Sequence, residues 1–386
     1  MSDLAGRSTF ALMRRQIPAA AGAAGGGAFS LLEGEPLYEL ERAARLAGGR
    51  HEVLPRALLL AALGWLPPVL LMAIGGGTHT SLVPLDVRFL IAIPVLLWAE
   101  TFVDVRVRAA VSQFTARGLI APADAQHFQT IVADTQRLHR SPRATVTIVL
   151  LAFGFSATRG LLGRAVHLPV VDAWLAFLSF PLFRVVLFQW LWRWALWALL
   201  LGRTSRIGLR LDPTHPDLTG GLGFLEQVAM AFLSLQVAAG AVLGGRLYTD
   251  AARPGADLAD LKQEVAAFGL ITIAMMLGPL ACFSRKLLLC KQRGQIDYGQ
   301  LASRHNRLFA ERWLGGDGGD PMGDPSISSL ADLGTSYASI DRMRPLPVGR
   351  QSLIALLAVC ALPALPPLLA HVPLQEALKR ILKTVL

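Results

Sequence analysis

Apolar and polar stretches alternate along this chain at a period too long for any surface helix. Seven apolar runs, at 57–76, 86–103, 144–163, 173–197, 221–245, 265–283 and 352–372, are separated by polar and mostly basic segments. Each has the roughly 17–25 residues that a helix needs to cross the hydrocarbon layer. The expected class is therefore all-α: a polytopic helical membrane protein with about seven spans and a small helical cytoplasmic layer. Of the seven, 86–103 is the weakest, because Arg88 and Glu100 interrupt its apolar core.

The polar segments carry patterns of their own. After the second span, "DVRVRAAVSQFTARGL" predicts a helix ending near Gly118, and a second helix starts near Pro122, a favoured first-turn residue. Phe114, Leu119, Phe128, Ile131, Val132 and Leu138 are the expected seam of this hairpin. The sixth span extends inward through "KLLLCKQRGQIDYGQLASRHNRLFAERWL" to a break at "GGDGGDPMGDP". Asp317, Asp320 and Asp324 in that break miss the calcium-loop spacing and its terminal Glu. Beyond it, Leu330, Leu333, Tyr337 and Ile340 share a helical face expected to pack on the 104–140 hairpin. The tail 373–386 is amphipathic and suits a helix lying along the membrane. The resulting organisation is 1–56, a cytoplasmic N-terminal segment; 57–103, two spans; 104–143, a cytoplasmic hairpin; 144–283, four spans; 284–351, a cytoplasmic helical segment; and 352–386, the last span and tail.

Composition agrees: 53% of the residues are hydrophobic, well above a soluble average. Charge then sets orientation. Residues 1–56, 104–143, 202–220 and 284–351 hold 26 Lys and Arg against 8 in the alternate segments, which places the N-terminus in the cytoplasm of a bacterial inner membrane. The net charge of +10 is that cytoplasmic collar; without interleaved exposed aromatics it does not point to nucleic acid. The lipid bilayer is the expected partner, and a homo-oligomer or a cytoplasmic protein partner is compatible with the pattern. The first 30 residues read as an Ala/Gly-rich linker rather than a signal peptide. Cys282, Cys290 and Cys360 lack metal-ligand spacing and read as packing residues. No metal, cofactor or catalytic residue is expected, for the chain has no Walker loop, His-Glu-x-x-His or Gly-x-Ser-x-Gly.

Candidate ligand-binding residues come from charges at membrane depth. Arg184 and Arg193 lie within the fourth span, and an intramembrane arginine is costly without a partner. Glu100, Asp104 and Glu226 fall in the same half of the bundle, with Asp104 one turn beyond Glu100. Glu226 or Glu100 is the expected partner of Arg184. The polar stretch "DPTHPDLTGGLGFLEQVAMAF" at 212–232 runs straight into the fifth span. On one reading Asp217 or Thr219 caps that helix, Gly220, Gly221 and Gly223 permit a tight turn, and Glu226 complements the helix dipole. On the other, the glycine-marked N–H groups bind an anion beside a titratable His215.

The combination of "HPDLTGGLGFLEQ", "AETFVDVRVR" with "SQFTARGLI", and "SISSLADLGTSY" before a last apolar run resembles a group of uncharacterised bacterial multi-pass inner-membrane proteins. The resemblance covers most of 30–386; it implies the topology and carries no activity. Three functions fit. A transporter or channel, for example for a small anion, stands first; a scaffold recruiting a protein through the cytoplasmic helices is the alternative; an intramembrane enzyme comes last. A solvent-reachable cavity at Arg184 and Glu226 would mark transport. A dry, fully paired bundle with an exposed apolar cytoplasmic groove would mark a scaffold.

Overall fold

The computed structural model describes residues 29–36, 39, 53–74, 82–162, 170–252, 258–315 and 324–371. In chain order the helices are α1 (Val53–Ile74), α2 (83–116), α3 (Ala125–His139), α4 (Pro142–Leu162), α5 (Val170–Thr204), α6 (Phe224–Ala251), α7 (Leu258–Ala281), α8 (Ser284–Trp313), α9 (Pro325–Asp341) and α10 (350–371). Among the described residues there is no strand, only an isolated bridge between Ile120 and Leu209.

Among the described residues five helices are long and apolar enough to cross a membrane: α1, α5, α6, Leu261–Ala281 of α7, and Arg350–Leu368 of α10. The expected count was seven. The second expected span is helical but falls in α2, where Asp86, Arg88 and Glu100 break the apolar run. The third lies in α4, whose stretch Pro142–Phe155 is apolar and which continues as a helix to Leu162. The amphipathic tail, 373–386, lies outside the described residues, as do Asp317 and Asp320.

Around α6 the bundle closes. Gly240 and Gly244 let Phe268, Leu362 and Pro366 approach its backbone, and a Cβ on Gly245 would stand 2.9 Å from Val87. The small residues thus serve packing within one chain. Against α6 lies α2, which buries Phe89, Ile93, Leu96, Ala99, Val103, Val107, Ala110 and Phe114 at three- and four-residue steps, the period of one helical face.

Proline shapes three of the long helices. Wide π turns at Val87–Ala92 and Leu175–Ser179 sit just before Pro94 and Pro181. Each proline ring crowds the carbonyl four residues back and offers no N–H, so the preceding turn opens. Where these turns meet α1, Ser179 Oγ donates to the Gly64 carbonyl at 2.6 Å. In α7, Pro279 leaves the Met275 carbonyl without its helical donor, and Trp194 Nε1 supplies one at 2.9 Å.

Two expectations for the polar layer need correction. Helix α9 packs along α8 rather than on the 104–140 hairpin. Trp313 Nε1 donates to Ser326 Oγ at 3.0 Å, Arg312 pairs with Asp324 at 2.5 Å, and Asp324 caps α9 by accepting from the Ser326 N–H. The reversal between α8 and α9 is short, so neighbours in sequence become neighbours in space. In α3 the buried positions are Phe128, Ile131, Thr135 and His139, while Leu138 is exposed. The helical phase passes one residue beyond Leu138 and puts a histidine in the seam.

Candidate functional site

The charges gather at two places. At the first, α2 and α5 face each other and bury Glu100 and Arg193. Arg193 Nη1 donates to Glu100 Oε1 at 2.7 Å, and Arg56 from α1 reaches Glu100 Oε2 at 2.6 Å. The other side of Arg193 is held by Glu35, whose Oε2 accepts from Nη2 at 2.6 Å and Nε at 3.1 Å. Side-chain exposures along the chain Arg56–Glu100–Arg193–Glu35 are 11%, 8%, 4% and 3%, so this is a dry network of alternating sign. Such an arrangement lowers the cost of burial, because each charge is paired and hydrogen-bonded.

One turn along α2, Asp104 continues the pattern. Its Oδ1 accepts from Ser30 Oγ at 2.9 Å and the Leu31 N–H at 2.7 Å, and its Oδ2 accepts from Arg108 Nε at 2.6 Å. Between the two carboxylates lies a cavity of about 10 Å³, lined by Leu31, Leu32, Glu100, Val103, Asp104, Trp190 and Arg193. That is room for at most one water.

At the second place, the loop between α5 and α6, the Asp217 carboxylate sits in a nest of N–H groups. Oδ1 accepts from Thr219 at 2.8 Å and Gly221 at 3.1 Å, and Oδ2 accepts from Gly223 at 2.8 Å. Burial pushes the Asp217 carboxyl up, but the three N–H bonds outweigh it and hold the group below the usual carboxylate range. Gly220 and Gly221 have φ of 63° and 93°, which a side chain would strain, and Leu218 joins them at 57°. His215 Nδ1 stands 2.9 Å from Asp217 Oδ1. The donors that an external anion would use are therefore taken by the chain's own carboxylate.

This loop is also where the polar layer is fastened together. The Arg344 N–H donates to Leu218 O at 2.8 Å and its Nη2 to Asp217 O at 3.1 Å. The Arg210 N–H donates to Leu119 O at 2.7 Å, Arg117 stacks on Phe224, and Pro213 fills the gap left by Gly294 of α8. Phe114, Phe128, Phe224 and Phe283 meet beneath it, with ring centroids 5.2 to 6.4 Å from that of Phe114.

Of the residues picked from sequence, the structure joins Glu100 to Arg193, with Asp104 adjacent, and joins His215, Asp217, Gly221 and Gly223. It keeps two apart. Glu226 caps α10, accepting from the Gly349 N–H at 2.6 Å and from Ser352 Oγ. Arg184 lies over the Phe155 ring at 4.8 Å, while Glu100 and Glu226, its expected partners, bond elsewhere. Sequence reasoning missed Arg56, Glu35, Ser30 and His139. The acidic "EGE" after the Ala/Gly run was the one available hint of Glu35. Among the described residues no group of His, Cys, Asp and Glu could hold a metal. No protein family, curated protein or solved structure matches this chain.

Proposed function

We propose that the protein is a membrane-embedded scaffold that recruits an acidic cytoplasmic protein through the α8–α9 hairpin. The observation that carries this reading is the state of the charges: the network inside the bundle is dry and internally paired, while the hairpin leaves apolar side chains open. Leu301 and Leu308, two helical turns apart on α8, are more than half exposed, and Leu314 and Ile327 near the reversal are exposed too. Beside them Arg304 and Arg307 of α8 are exposed, a basic flank suited to an acidic partner. The Lys and Arg bias supports a bacterial inner membrane, with the N-terminus and this hairpin in the cytoplasm.

Transport of a small anion is the second reading, favoured by the Arg193 network, since charges at membrane depth often mark ion pathways. One pair of experiments separates the two. A photo-crosslinking residue at 301, in intact cells, should give a single adduct that Leu308→Asp removes. Purified protein in vesicles should pass no chloride, sulfate or phosphate. Absence of an adduct, or an anion flux abolished by Glu100→Gln, would overturn the scaffold in favour of transport.

A further inference from the structure

Segment 29–35 lies on the bundle without belonging to it. Neither a helix nor a strand anchors it there. Asp104 holds Ser30 and Leu31, Arg108 Nη2 holds Glu33 at 2.8 Å and Ser30 Oγ at 3.0 Å, and Arg193 holds Glu35. Phe29 and Leu31 add two buried apolar side chains. The Ser30 hydroxyl also accepts from the Leu32 and Glu33 N–H groups, so the segment brings its own turn to the surface.

Beneath this strap is His139, the last residue of α3. It is 1% exposed, and neither ring nitrogen has a hydrogen-bond partner of normal geometry among the described residues. A buried polar group left in that condition is expensive and calls for an explanation. We propose that segment 29–35 is a releasable strap, and that His139 beneath it is the group through which acid releases it.

The charges facing His139 support the direction. Burial, then Arg193 from α5, then Arg140 just past the end of α3 oppose a proton on the ring; the Leu32 backbone favours one but is outweighed. His139 is pushed down to about 4 from an ordinary 6.5. Once the strap leaves and water reaches the ring, the ordinary value returns. A group that binds protons more tightly in the released state favours release as pH falls below 6.5, and the effect saturates near 4. Between pH 7.5 and 5.0 that linkage amounts to about thirtyfold in the docking equilibrium.

Glu35 acts the other way. It faces Arg193 and Gln189 of α5 and Glu100 of α2, and burial outweighs Arg193, pushing its carboxyl above the usual range. A proton on Glu35 thus favours docking. The remaining charges around the strap, among the described residues, are Arg56, Asp104, Arg108, the strap's own Glu33, and Glu39, which accepts from the Gly34 N–H at 3.1 Å. His139 must be isolated from this background by comparison.

Hydrogen exchange of the Leu31, Leu32 and Glu33 amides provides the comparison, in the full chain and in His139→Gln, at pH 7.5 and 5.0 after correction for intrinsic rates. Glu35 contributes equally to both proteins and cancels. The ratio of parent to variant protection should fall about thirtyfold from pH 7.5 to 5.0, while the amides of 228–235 in α6 stay protected in both. An unchanged ratio overturns the proposal. Should the variant fail to fold, the His139 imidazole resonance of the parent decides. It should titrate near 4, and Arg108→Met, by loosening the strap, should raise that midpoint toward 6.5. A midpoint near 6.5 in the parent with the strap still protected also overturns it.

Discussion

Replacing Asp217 with alanine empties a site that the chain otherwise fills with its own carboxylate. Three backbone donors, on Thr219, Gly221 and Gly223, lose a partner at 2.8 to 3.1 Å. A hydrogen bond to a charged group contributes about 1.5–3 kcal/mol net, which would place three of them at roughly 5–9 kcal/mol. Asp217 retains 18% side-chain exposure, so water re-solvates some of those donors, and the expected loss is about 3 kcal/mol. Asp217→Asn keeps one acceptor oxygen and should lose about half as much. The vacated nest then offers N–H groups of the same geometry to a small carboxylate. Formate should restore part of the thermal stability of Asp217→Ala, with no matching effect on the parent and none from chloride at equal ionic strength. The parent should show the corresponding acid response. Because the folded-state value is depressed, this contribution is complete above the ordinary carboxylate range and disappears as pH falls through the lower folded value. A loss below about 1 kcal/mol, or equal rescue by chloride and formate, would refute a nest fitted to a carboxylate.

The other perturbations test the inner network and the close contacts. Arg193→Met leaves Glu35 and Glu100 buried without their shared cation and should cost about 3–5 kcal/mol in detergent unfolding. Adding Glu35→Gln should recover part of that loss, and strictly additive losses would deny the coupling. Glu226→Ala removes the acceptor for the Gly349 N–H and should raise hydrogen exchange at the start of α10 while leaving α6 unchanged. Gly64→Leu should prevent normal assembly, since a Cβ there would stand 2.0 Å from the Phe89 ring, and Phe89→Ala should relieve part of the defect in yield of folded protein.

Most of what local periodicity controls was readable in the sequence. The helical class, the apolar runs, the turn after α2 and the shared face of Glu100 and Asp104 all follow from spacing on a single helix. The tight loop at Gly220–Gly221 follows from residues that tolerate positive φ. Choosing between Arg184 and Arg193 was harder, for both lie in one apolar helix and depth alone does not fix which side faces α2. Long-range pairing was least accessible. Glu35 follows an Ala/Gly run with no periodicity, and nothing near it encodes contact with a residue 158 positions away. Glu226 fits the dipole of its own helix so well that its second role, across the bundle at Gly349, leaves no trace in local pattern. His139 was hidden by a neighbour, because Leu138 is the apolar residue and yet faces out.

The two polar places do different physical work, and the difference lies in what each carboxylate accepts from. Asp217 takes backbone N–H groups within seven residues, so it fixes a local turn that Arg344 then ties to the start of α10. Glu100 and Asp104 accept from groups far away in sequence: Arg193, Arg56, Ser30 and Leu31. Apolar residues of similar volume would hold α2 against α5 about as well, since the gain from a buried ion pair is largely offset by desolvation. What apolar contact supplies poorly is direction. A strap without secondary structure could slide over an apolar surface. One that must place a hydroxyl on Asp104, a carboxylate on Arg108 and another on Arg193 has a single register, and it loses several bonds together when it leaves. The buried charges are thus best understood as specifying where residues 29–35 dock, with tightness of packing left to the apolar faces around them.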